Sequence, residues 1–296
     1  MDIVVEAVGF GLVTASVAAI AAVGFTLQYA ISGILNLAYG EVMTVAAFAG
    51  FATQTAGAPL AASLLAGAVT GAIISMSVNR WVYQPFVRRG TGLFGTIIVT
   101  VAVSLILQNV ILALAGTDYR DYTPDSGGLV HIAGMVFTKS QLAIIGLAVG
   151  VMVAIHALLH LTKFGKSMRA TAVNPRLARS CGIRTNWVRD ATWLISGALA
   201  GLGGVILAKN AVAFNFLTGT EFLLIVIAAA VLGGVGEIYG AILGALAIGI
   251  ASEVAAALLN PSYKVVVAFG VLILVLLIRP EGILRSGAAT RKELIA

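Results

Sequence analysis

Cysteine is almost absent from this chain: Cys181 is the only one in 296 residues. That excludes an intrachain disulfide and a thiolate metal cluster. Charge is the second scarcity. Charged residues make up 10% of the chain, against about 25% in soluble domains, and mean hydropathy is +1.04. No Lys or Arg occurs before Arg80, and the 73 residues between Glu6 and Arg80 contain one formal charge, Glu41. Such a composition excludes a soluble enzyme and implies an all-α, polytopic membrane protein. Asp2 and Glu6 precede the first apolar run, the wrong sign for the n-region of a cleaved leader, so the first span is expected to be retained.

Apolar windows of about 20 residues are long enough to cross a bilayer. They fall at roughly 7–29, 31–54, 59–79, 93–115, 140–161, 191–208, 221–235, 238–258 and 264–279. The first pair has no charged loop between its members and the seventh is short, so at least one broken or re-entrant helix and eight to ten crossings are expected. The whole of 1–284 reads as one membrane domain, followed by a short tail, 285–296.

The net charge of +6 describes topology rather than affinity for nucleic acid, because its distribution is uneven. Arg80, Arg88 and Arg89 lie in one stretch. Lys163, Lys166, Arg169, Arg176, Arg179, Arg184 and Arg189 lie in 163–190 with Asp190 as the sole acid, and Arg279, Arg285, Arg291 and Lys292 lie near the end. The segment 116–139 carries Asp118, Asp121 and Asp125 against Arg120 and Lys139. The positive-inside rule makes the basic stretches cytoplasmic and 116–139 external. Nine spans, with the N-terminus outside and the C-terminus inside, satisfy these assignments.

Small residues are abundant, with 34 glycines. Gly67 with Gly71 and Gly197 with Gly201 have the four-residue spacing that lets membrane helices approach closely. In 232–245, "LGGVGEIYGAILGA", Gly233, Gly234, Gly236, Gly240 and Gly244 are denser than packing alone requires. A helix break or tight turn is expected there, because each glycine weakens a helix by about 1 kcal/mol relative to Ala.

Familiar catalytic patterns fail on inspection. "GKS" at 165–167 has His160 where a phosphate loop needs glycine, and it follows an apolar helix rather than a strand. His156 and His160 share helical spacing without the HExxH glutamate, and read as interfacial residues. No nucleophile–base pair stands out. The chain is expected to need no cofactor or metal and to be no enzyme itself, so any ATP-driven work would fall to partner subunits.

The motif "ILNLAYGE", 34–41, is followed by "NRWVYQPFVRRG", 79–90, and "LILQN", 105–109. "GKSMRATAVNPRLARSCGI", 165–183, "SGALAGLGGVILA", 196–208, "AAAVLGGVGEIYGAILGALAIG", 228–249, and "YKVVVAFGVLILVLLIRPEGIL", 263–284, complete the series. In this order they resemble the permease subunits of bacterial branched-chain amino acid ABC importers, nearly end to end. Tyr39 departs from the family's usual histidine, and Asn174-Pro175-Arg176 stands where acidic residues are common in relatives.

The resemblance implies alternating access in the bacterial inner membrane, surrounded by lipid. It also implies a second homologous permease, two ABC ATPase subunits and an extracytoplasmic substrate-binding protein. Relatives of this architecture also carry urea, short amides and organic acids. An ion-coupled secondary transporter is the rival class, disfavoured by the scarcity of intramembrane charge.

Two site expectations follow. Asn36, Tyr39, Gly40 and Glu41 belong either to a broken helix lining the conduit, or to a structural element in which Glu41 bonds freed amides or another helix. For ATPase coupling, 169–183, beginning at Arg169, offers a short helix with Asn174 as N-cap and Pro175 at its first position. Gly182 lies just past its end, and Leu177, Ala178 and Cys181 are poised for a partner's groove.

Overall fold

The computed structural model describes residues 2–122, 128–132, 135–211, 213–260, 263–279 and 282–284. Asp125 and the tail 285–296, with Arg285, Arg291 and Lys292, lie outside them. The described chain is an all-α polytopic bundle with one small hairpin. Its helices are α1 (Asp2–Ser32), α2 (Tyr39–Thr55), α3 (Leu60–Val78), a π-helical turn (Asn79–Tyr83), α4 (Gln84–Arg88) and α5 (Leu93–Ala115). After strands β1 (Leu129–Ile132) and β2 (Met135–Thr138) come α6 (Lys139–Leu161), α7 (Lys163–Val173), α8 (Pro175–Ser180) and α9 (Thr185–Asn210). The chain ends in α10 (Thr218–Gly233), α11 (Ile238–Leu258) and α12 (Lys264–Ile278).

Each apolar window coincides with a helix. Among the described residues six helical stretches are long and apolar enough to span a membrane, one of them running unbroken from Leu60 to Arg88. The remaining windows hold shorter helices: α2 with 17 residues, α10 with 16 and α12 with 15. At 1.5 Å per residue these reach about 23–26 Å, less than the roughly 30 Å of hydrocarbon.

Two boundaries differ from expectation. Arg80 and Arg88 lie on the helix continuing from α3 rather than in a loop, and α9 begins at Thr185, so Arg189 and Asp190 are helical. Hydropathy does not mark these helix ends because they are polar and charged. The β1–β2 hairpin, pairing Leu129 with Thr138 and Ile132 with Met135, was not expected either.

The chain divides into two compact units. The first contains residues 1–26, 125–156 and 224–296. Within it, α1 and α11 approach so closely that a methyl on Gly249 would press on the Ala15 backbone. α10 and α11 form a hairpin closed by Gly234 and Gly236, both at positive φ (105° and 96°), where other residues are strained. Gly233 lies against Gly240, and Gly244 against the Ala229 carbonyl, with no room for a side chain. After α12 the chain returns to cap this hairpin, Ile283 N donating to Leu232 O at 2.8 Å.

The second unit contains residues 27–124 and 157–223 and is built on α2, α3 and α9. Gly67 and Gly71 face Gly201 and Gly197, so the α3 and α9 backbones touch. Dispersion replaces the missing hydrophobic drive in lipid, which makes this close approach the main adhesive. Phe48, Phe51, Tyr122 and Phe214 form an aromatic cluster beside it. Burial pushes the Tyr122 phenol well above its ordinary range, so it stays protonated and donates to Ala47 O at 2.8 Å. The outer faces of α5, α6 and α12 expose Leu105, Ile106, Val153, Leu277 and other large apolar residues, as lipid-facing helices do.

Candidate functional site

The motif 34–41 lies where α1 ends and α2 begins. Gly33, at φ 65°, terminates α1 with its N–H on Tyr29 O, and an irregular segment follows. Asn36 organises that segment. Its Oδ1 accepts from Ala38 N at 3.2 Å, an Asx turn, and from the Tyr83 hydroxyl at 2.8 Å. Tyr39 opens α2 and donates its hydroxyl to Ser196 O at 3.4 Å. Gly40 has no space for a side chain, because Gly219 and Thr220 lie against it. Thr44 completes that contact, its Oγ1 donating to Gly40 O and accepting from Gly219 N.

Glu41 is fully buried, at 0% exposure. Its Oε1 accepts from Thr220 Oγ1 on α10 at 3.0 Å, while Oε2 is buried without a hydrogen-bond partner. Two donors of the same unit are in the same condition. Trp193 Nε1 and Gln28 Nε2 are both buried and unpartnered, although Gln28 Oε1 accepts from Ser196. An unmade buried hydrogen bond costs about 1–3 kcal/mol. Each such atom is a costly feature of a buried apolar unit, and Glu41 Oε2 is the one that belongs to an ionisable group of the 34–41 motif.

The structure brings Asn36, Tyr39, Gly40 and Glu41 together with residues that sequence reading missed. Thr220 lies 179 positions from Glu41, and no local signal announces it. Asn79 and Tyr83 sit inside "NRWVYQPFVRRG", which reads as a basic loop, yet both are fully buried on the π-helical turn. Trp193 packs on Tyr83 with ring centroids 5.4 Å apart.

The stretch 163–183 is mostly helical. Thr162 caps α7 by accepting from Gly165 N, and α7 buries Gly165, Met168 and Thr171 while exposing Lys163, Lys166 and Arg169. Asn174 caps α8, Oδ1 accepting from Arg176 N and Leu177 N at 3.1 and 3.0 Å, and Pro175 occupies the first helical position. Gly182 at φ 83° ends it, with Gly182 N on Arg179 O and Ile183 N on Ala178 O, a Schellman motif. Leu177 is 61% exposed and Cys181 is an exposed free thiol. Ala178 departs from expectation: at 4% exposure it packs against its own chain rather than offering a face to a partner. Gly233, Gly234, Gly236, Gly240 and Gly244 all lie in or beside the α10–α11 hairpin of the other unit.

Residues 7–276 match a family described as the permease component of the branched-chain amino acid transport system. The high-affinity branched-chain amino acid transport system permease protein BraD of Pseudomonas aeruginosa is 32% identical over 292 residues, covering 93% of each chain. LivH of Escherichia coli K12, of the same description, is 32% identical over 291 residues, again 93% of each. The ribose import permease protein RbsC of Escherichia coli K12 is 29% identical over 254 residues, 79% of this chain and 73% of its own. Among solved structures, PsaBC from Streptococcus pneumoniae in complex with Fab shares the fold. Its TM-score is 0.51 at 15% identity, covering 92% of this chain and 91% of that one.

Proposed function

Since the chain belongs to the family of branched-chain amino acid transport permeases, we propose that it moves branched-chain or related aliphatic amino acids inward by ATP-driven alternating access. Its partners on this reading are a second homologous permease, two ABC ATPase subunits and an extracytoplasmic binding protein. The complex sits in the bacterial inner membrane with the N-terminus outside and the C-terminus cytoplasmic. Asn36, Tyr39, Gly40 and Glu41 form a discontinuous element beside the conduit. The observation that carries this is Glu41, wholly buried in an apolar unit with one oxygen unpaired. Intramembrane ionisable groups are costly and mark pathways, and irregular backbone is tolerated at membrane depth only where protein or a cavity surrounds it.

A second cargo class is supported by Tyr39, which stands where the family usually has histidine. Urea, a short amide or a small organic acid fits the same membrane chassis. Direct titration of the cognate binding protein with each class separates the two. Uptake that continues after the ATPases are inactivated would instead indicate an ion-coupled carrier.

ATPase coupling is assigned to 163–190, with Arg169 on α7 and α8 carrying the contact. Leu177 is the exposed large apolar side chain of α8, with Val173 and Trp187 exposed on the flanking helices, and burying one contributes roughly 1.5–3 kcal/mol. Exposed ion pairs contribute only about 0–1 kcal/mol. Leu177→Asp is therefore expected to detach the ATPases or uncouple hydrolysis, with the membrane fold intact, whereas Arg176→Ala does much less. Co-purification and stimulated hydrolysis in reconstituted vesicles measure this. Normal assembly of Leu177→Asp would move the docking site elsewhere, with the turn at Glu237 the next candidate.

Orientation has its own test. Cysteine placed at Arg120 or Asp121 is expected to react with an impermeant reagent on intact cells, and cysteine at Arg179 only after permeabilisation. Labelling at 179 in intact cells would reverse the topology.

A further inference from the structure

The helix from Leu60 to Arg88 is regular except over Asn79–Tyr83, where it widens into a π turn and Gln84 N reaches back to Asn79 O. Such turns are rare and weaker than α-helix, and they recur at functional positions. Here the turn carries two fully buried polar side chains that point to different neighbours. Asn79 Nδ2 donates to Asp190 Oδ1 at 3.2 Å, near the start of α9, and Asn79 Oδ1 accepts from Gln84 Nε2. Tyr83 stacks on Trp193 and donates its hydroxyl to Asn36 Oδ1 at 2.8 Å.

Both ends of this arrangement continue. On one side Asp190 belongs to α9, whose first residue, Thr185, accepts from Arg179 Nη2 of α8 at 3.4 Å. On the other, the Asn36 oxygen that Tyr83 engages also holds Ala38 N, which sets the entry into α2 and so the placement of Tyr39 and Glu41. An unbroken chain of contacts within one compact unit thus joins the exposed helix α8 to the buried carboxylate.

We propose that the π turn is the transmission element between these two sites, with Asn79 and Tyr83 as positioning residues that fix the Asn36–Glu41 element according to the position of α9. The proposal rests on the reading that α8 meets the ATPases and that 36–41 lines the path. Rewinding the turn as α-helix shifts the residues beyond it by up to about 100°, one residue of helical rotation. Asn79 and Tyr83 then cannot hold both partners. On this proposal the turn alternates between the observed π arrangement and a rewound one, each biased by α9 and α2, which is the physical requirement for coupling between distant sites.

The test uses the complete transporter in vesicles, reading ATPase co-purification, ATP hydrolysis and uptake separately. Tyr83→Phe keeps the ring on Trp193 and removes only the donor. It is expected to retain the ATPases and their hydrolysis while uptake per ATP falls about tenfold, the scale of one buried hydrogen bond lost. Asn79→Asp sets two carboxylates face to face and should uncouple as well. The N79D/D190N double variant restores a donor and an acceptor with their positions exchanged, and is expected to recover most of the lost coupling. Wild-type uptake per ATP in Tyr83→Phe would overturn the proposal, as would an assembled double variant no better than N79D. Retention of the ATPases by Leu177→Asp would instead overturn the docking reading, whatever Tyr83→Phe does.

Discussion

Glu253 and Glu41 each sit in an apolar helix, one in each unit, and they are treated differently. Glu253 on α11 has a side chain 13% exposed and a cation beside it. Its Oε1 accepts from Lys264 Nζ at 2.7 Å and from Thr14 Oγ1 at 2.8 Å. A cavity of ≈ 280 Å³ lined by Glu6, Phe10, Glu253 and Lys264 lies next to it. Glu41 has no exposure, one hydroxyl bond from Thr220 and an unpaired oxygen. A carboxylate balanced by a lysine beside an open cavity is explained by local electrostatics alone. One held by a hydroxyl in a sealed site costs stability that packing does not recover, and that difference is why Glu41 is assigned to the transport path.

The largest effect should come from removing the unbalanced group. Glu41→Leu removes the acceptor of the Thr220 hydroxyl and the hydrogen bond that ties α2 to the start of α10. Uptake in vesicles is expected to fall on the order of tenfold or more at normal membrane insertion, while Glu253→Leu, whose lysine can turn to water, stays near wild type. Equal losses would erase the distinction between the two carboxylates.

A smaller change sharpens the comparison. Glu41→Gln keeps Oε1 as an acceptor for Thr220 and removes the formal charge. Substantial transport is expected to survive, because the buried hydrogen bond rather than the charge fixes α2 against α10. If Gln and Leu were equally inactive in assembled complexes, the charge itself would be the working feature.

What the sequence discloses follows the range of the forces involved. Hydropathy acts locally, and all nine apolar windows hold helices. Asn174, Pro175 and Gly182 bracket α8 because caps and positive-φ glycines are decided within a few residues. The glycine pairs Gly67/Gly71 and Gly197/Gly201 were legible as packing positions, but their pairing with each other was not. The buried site depends on contacts across long separations: Glu41 with Thr220, Tyr83 with Asn36, Asp190 with Asn79. Nothing local distinguishes Asn79 and Tyr83 from the arginines and tryptophan around them. Ala178 shows the same limit, since helical spacing gave its face but not that α8 turns this face toward its own chain.

The smallest expected effect concerns the balanced carboxylate. Glu253→Gln keeps an oxygen for Thr14 and removes the partner charge of Lys264, whose side chain is 38% exposed. Exposed and partly exposed pairs contribute about 0–1 kcal/mol, and salt screens them. Uptake should therefore match wild type. Thermal stability in detergent should fall by about one kcal/mol at most, with the deficit shrinking in high salt as the wild-type pair weakens. The salt dependence is the discriminating readout, because a packing defect would persist at every ionic strength. A Glu253→Gln variant that kept its stability and lost uptake would place the cavity beside Glu6 and Lys264 on the transport path, and Glu41 would no longer be the one carboxylate in which burial signals function.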